Sequence, residues 1–65
     1  MEPIFNSIGH VIGYYHQAGP YRLEIRSKSN NLLGFYIPHS DQTFDKNTRL
    51  VGKGNQLGRF IPSDD

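Results

Sequence analysis

The residues with most chemical potential are aromatic and basic, and they recur at fixed places. Tyr14 and Tyr15 follow Gly13, Phe35 and Tyr36 follow Gly34, and Phe60 stands two after Gly58. Arg22 and Arg26 precede the second of these groups, and Arg49, Lys53 and Arg59 punctuate the stretch after it. Guanidinium groups are planar forks that match phosphate and carboxylate oxygens, and aromatic rings stack on flat bases. Tyr14, Tyr15, Arg22, Arg26, Phe35, Tyr36, Arg49, Lys53 and Arg59 are therefore the candidate binding residues for a small anionic or nucleotide-like ligand.

Other chemically suggestive spacings read as structure. His39-Ser40-Asp41 holds the letters of a hydrolytic triad, but triad members converge from separate parts of a fold, and loop neighbours point apart. Gly52-Lys53-Gly54 lacks the full spacing, the Ser/Thr and the helix of a phosphate loop. Asp41 and Asp45 fall in a loop and at the opening of a turn, where a carboxylate is solvated or caps the backbone. The chain has no cysteine, which excludes thiolate metal sites and disulfides. His10, His16 and His39 are not spaced as metal ligands. No catalytic residue, metal or cofactor is expected, and the chain reads as a non-enzymatic protein.

Length narrows the reading further. Sixty-five residues make one domain, and a single core at this size supplies only about 3–5 kcal/mol. With disulfides excluded, self-association is the natural further staple, so a homo-oligomer is expected. Seven Lys+Arg against six Asp+Glu leave a net charge of +1, which argues against a nucleic-acid partner, duplex above all. The opening Met1-Glu2-Pro3-Ile4 has no basic leader, and no run approaches the ~18 apolar residues of a membrane span. The expectation is a soluble, cytoplasmic protein with no membrane partner.

Strands must position the candidate residues. Glycine and proline cut every stretch of helical length, and the remaining runs are rich in Ile, Leu, Tyr and Phe. These runs repeat. In unit 4–15, Asn6 starts a type I turn, Gly9 takes the left-handed position, and Ile12-Gly13-Tyr14-Tyr15 closes the hairpin. Unit 24–36 turns at Ser27, with Asn30 or Asn31 left-handed and one extra residue in its loop. Unit 43–52 turns at Asp45; because Thr48 stands where Gly9 did, its left-handed residue is expected at Asn47. A degenerate unit, 50–61, overlaps it and turns at Gly54-Asn55. Turns over His16–Pro20 and Pro38–Gln42 join the units. The fold class is all-β, a meander of three to four repeated hairpins around a pseudo-symmetry axis, flower- or barrel-like, with no substantial helix. Strand alternation places Tyr14 and Phe35 on one face and Tyr15, Tyr36 and Phe60 on the other.

On these units the chain resembles the four-fold beta-flower domains, small bacterial proteins in which hairpin petals surround a pseudo-fourfold axis. The resemblance implies a fold and no activity. The function expected from the residues is a homo-oligomeric module that binds, and so sequesters, a small anion. The alternatives are a structural or protein-interaction module and a weak single-stranded nucleic-acid binder.

Overall fold

Three turns of one build organise the chain. In each, a single side-chain oxygen accepts from two backbone N–H groups, two and four residues ahead. Asn6 Oδ1 accepts from Ile8 and His10 at 3.1 and 2.9 Å. Ser27 Oγ accepts from Ser29 and Asn31 at 3.2 and 3.1 Å. Asp45 Oδ1 accepts from Asn47 and Arg49 at 2.8 and 2.9 Å. The fourth residue of each turn is left-handed: Gly9 at φ 85°, Asn30 at 68° and Thr48 at 64°. Its N–H closes the type I turn onto the carbonyl of the residue that opened it.

These turns shape a computed structural model that describes residues 1–61. Strands β1 (Glu2–Phe5), β2 (Val11–Gln17), β3 (Leu23–Ser27), β4 (Leu32–Ile37), β5 (Gln42–Asp45) and β6 (Leu50–Lys53) follow in order, and a 3-10 helix spans Leu57–Phe60. The six strands form one open antiparallel sheet in the order β1-β2-β3-β4-β5-β6. The expected all-β meander of hairpins is what the chain builds. Among the described residues, no helix is long and apolar enough to cross a membrane.

The recurring apolar–glycine pair has a structural cause. Ile12, Leu33 and Val51 are each the extra residue of a β-bulge in the second strand of a hairpin. The glycine that follows lets backbones approach closely. A Cβ on Gly13 would lie 2.8 Å from the Arg26 carbonyl oxygen, and one on Gly34 would lie 2.9 Å from that of Phe44.

Four details differ from expectation. The second turn carries no extra residue; all three have the same hydrogen-bonded length. In the third turn Thr48, not Asn47, is left-handed, because the cap on Asp45 fixes the position whatever residue occupies it. His16 and Gln17 belong to β2, and Gln42 to β5, so the connecting turns are shorter. Unit 50–61 forms no hairpin. After Gly54 the chain enters the 3-10 helix, because Leu57 finds a fully buried site and Phe60 one over Gly34.

That helix decides which face is packed. Register places Tyr15, Ile25, Gly34 and Asp45 in one row, and Gln17, Leu23, Tyr36, Thr43 and Gly52 in another on the same face. Phe60 covers Gly34 and the Gln56 side chain covers Gly52 on this face. Ile25, Leu57 and Thr43 are its most deeply buried side chains. Thr43 Oγ1 donates to the Gly54 carbonyl at 2.6 Å and accepts from the Gln56 N–H at 2.9 Å, which ties the helix to the sheet.

Two substitutions should move stability in opposite directions in urea denaturation. Thr48→Gly removes a β-branched residue from a left-handed site and is expected to stabilise by about 1 kcal/mol. Gly34→Ala forces the Phe44 strand and the Phe60 ring apart and should cost about 1–3 kcal/mol.

Candidate functional site

The opposite face of the sheet carries the charge. Alternation along β3 puts Glu24 and Arg26 on it, and Arg22, just before the strand, continues the pattern. Cross-strand pairing sets His16 and Phe35 on either side of Glu24, and Tyr14 beside Arg26. Phe44 pairs with Phe35 and Leu50 with Phe44, which extends an apolar row to β6.

Glu24 is the centre of this arrangement. Its side chain is only 7% exposed, and both carboxylate oxygens are taken. Arg22 Nε donates to Oε2 at 2.7 Å. Arg26 donates to Oε1 through Nε at 3.0 Å and NH2 at 2.7 Å. Burial by itself raises the Glu24 carboxyl, but the hydrogen bonds and charges of Arg26 and Arg22 together outweigh it and hold the group below the usual carboxylate range.

The two arginines are used differently. Arg26 also donates from NH1 to the Asn30 carbonyl at 3.1 Å, so all three of its nitrogens are engaged. Arg22 sits over Phe35, its Cζ 3.9 Å from the ring centroid. Phe35 in turn stacks on Phe44, with centroids 5.3 Å apart and planes 22° from parallel. Among the described residues, no acceptor takes the two terminal nitrogens of Arg22. The guanidinium is clamped by a carboxylate on one edge and a ring on one plane, while its outer edge remains available, with 37% of the side chain exposed.

The sequence-derived candidates divide accordingly. Arg22, Arg26, Phe35 and Tyr14 share this face, and the first three are in contact or linked through Glu24. Tyr15 and Tyr36 lie on the other face, as alternation predicts, and Phe60 packs there too. Tyr36 donates its hydroxyl to Asp41 Oδ1 at 2.7 Å, and that bond raises the phenol's pKa, because ionisation would forfeit it. Arg49, Lys53 and Arg59 are exposed on the third turn, at the end of β6 and in the 3-10 helix. Arg59 donates to Gln56 Oε1 at 3.1 Å, and none of the three joins the Glu24 cluster. Sequence reasoning missed Glu24. Its signal was the alternation Arg22-x-Glu24-x-Arg26, which sets one carboxylate between two cations on a strand face.

Two depressions mark the surface. One of about 490 Å³ is lined by Met1, Glu2, Pro3, Tyr15, Gln17 and Leu23, with no lysine or arginine side chain. The other, about 350 Å³, lies between Tyr21 and His39.

The Glu24 clamp gives stability a defined pH dependence. Its folded value lies below the unfolded one, so its contribution is complete above the unfolded range, about pH 4.3. It is lost as pH falls from there through the folded value. Glu24→Gln should cost about 1–3 kcal/mol at pH 7, since the half-exposed arginines regain water. The variant should also lose less stability than the parent chain on acidification below about pH 4.3, as read by urea melts at stepped pH.

Compared with family models, curated proteins and solved structures, the chain matches none, so the geometry alone carries the functional reading.

Proposed function

We propose that this chain is a non-enzymatic, homo-oligomeric β module that binds a small anionic, nucleotide-like ligand at Arg22. The observation that carries this reading is the state of that guanidinium. Glu24 and Phe35 fix it, and its outer edge has no partner among the described residues. A free arginine loses side-chain entropy when it grips an anion. Arg22 has lost most of that freedom on folding, so binding costs less. The Glu24–Arg22–Arg26 cluster carries one net positive charge, which favours an anion over a cation or a neutral ligand. A module of this kind serves to hold or sequester its ligand.

A second reading has its own support. Phe5 and Ile8, side by side at the first capped turn, are both more than half exposed. Exposed apolar side chains grouped this way suit docking to another protein surface. Sedimentation equilibrium of the parent chain and of Ile8→Lys separates the possibilities. Loss of self-association in the variant assigns this turn to the homo-oligomer, and a parent chain monomeric at all concentrations argues against that assembly.

The anion reading is tested by NMR titration with inorganic phosphate and with AMP. Amide shifts are expected around Arg22, Glu24 and Phe35, weakening as salt rises. Arg22→Gln should lower affinity about tenfold, and Arg22→Lys should not restore it, because an ammonium cannot stack flat on Phe35 while presenting a fork. Equal affinity in the parent and Arg22→Gln chains would overturn the proposal.

A further inference from the structure

We infer that the larger surface depression is a binding site for a small primary amine, an ammonium group carried on an aromatic or branched alkyl body. The site lies on the sheet face opposite the Arg22 cluster, and it stands or falls apart from the anion reading.

Register brings its lining together. Glu2 pairs with Tyr15 across β1 and β2, and Gln17 pairs with Leu23 across β2 and β3. Residues paired this way share a face, and all four belong to the face on which the 3-10 helix packs against β3 and β4. Side chains directly opposite each other start roughly 5 Å apart, and Gln17 stands two residues, about 7 Å, along β2 from Tyr15. These four residues, with Met1 and Pro3, line one depression of about 490 Å³. That volume falls within the usual ~300–1,000 Å³ of small-molecule sites.

The polar groups of the lining suit a donor with positive charge. Glu2 is its only ionised side chain, and among the described residues Glu2 pairs with no cation, the Met1 ammonium included. Gln17 Nε2 donates to the carbonyls of Gly19 and Arg22 at 2.6 and 3.1 Å, which occupies both of its hydrogens. The amide therefore has only Oε1, an acceptor, left to offer. The Tyr15 hydroxyl has no partner among the described residues, and the face of its ring attracts a cation. Met1, Pro3 and Leu23 add apolar surface around these groups.

A primary ammonium fits this set. It carries one positive charge and three N–H donors with no acceptor. A carboxylate, an amide oxygen and a phenol oxygen supply the matching acceptors. An anion would meet the Glu2 carboxylate with nothing to offset the repulsion. A neutral alcohol would forgo both the ion pair and the attraction of the ring. The apolar lining assigns the rest of the ligand to hydrocarbon.

NMR titration with phenethylamine, 2-phenylethanol and 3-phenylpropionate varies the charge on one body. Phenethylamine is expected to shift the amides of Glu2, Tyr15, Gln17 and Leu23. It should bind about fivefold more tightly than 2-phenylethanol, the upper size of one exposed ion pair, and 3-phenylpropionate should bind more weakly than either. Added salt should weaken the amine and leave the alcohol unchanged. Glu2→Gln changes an exposed residue, should fold as the parent does, and should bring the amine down to the affinity of the alcohol. Tyr15→Leu keeps apolar bulk and should lower amine affinity about two- to fivefold through the lost ring. Equal affinity for amine and alcohol, amine binding untouched by Glu2→Gln, shifts confined to other residues, or no binding of the amine overturns the proposal. Phosphate and AMP report on Arg22 separately, so either site can fail without the other.

Discussion

Much of this fold follows from one interaction made three times: a side-chain oxygen at the start of a turn that accepts from two backbone N–H groups. The chemistry of the oxygen varies, an amide in Asn6, a hydroxyl in Ser27 and a carboxylate in Asp45, but the geometry does not. The cap fixes where the hairpin reverses and so which residues pair. In a sheet, register also assigns faces, because a slip of one residue would turn every side chain over. The bulge at Ile12, Leu33 and Val51 then falls at the same distance from each cap. The cap is strong enough to hold even Thr48 in a left-handed conformation that β-branched residues avoid.

The charged face depends on this register in turn. Glu24 is buried on a strand face, where an isolated carboxylate would be costly to keep ionised. Two arginines on the same strand face remove that cost, and in doing so they lose their own freedom. One of them, Arg22, is left over the Phe35 ring, with no acceptor for its terminal nitrogens among the described residues. Stability and the proposed binding site are therefore built from the same atoms. The Arg22 guanidinium is held because Glu24 is buried beside it, and Glu24 tolerates burial because the two arginines are there.

Departure from the repeat completes the domain. A fourth hairpin, sharing β6, would have extended the sheet by one more strand. The chain instead buries Leu57 and folds Phe60 back over Gly34. Glycine at position 34 thus serves twice, since the space a Cβ would take admits both the Phe44 carbonyl and the Phe60 ring. This choice covers one face of the sheet and leaves the other to the arginines and aromatic rings.

The sequence by itself determined the all-β class, the three full turns and the division of aromatic residues between faces. Those features depend on local chemistry: a capping side chain, a left-handed residue and a period of two. Only the tertiary structure decided which face would be packed, since apolar residues stand on both and local pattern does not rank them. The 3-10 helix made that choice by setting Phe60 on Gly34, far away in sequence. The same holds for the candidate site. The alternation of Arg22, Glu24 and Arg26 was written along one strand. That Arg22 would lie on Phe35, and that Arg49, Lys53 and Arg59 would stay apart from it, depended on which strands became neighbours.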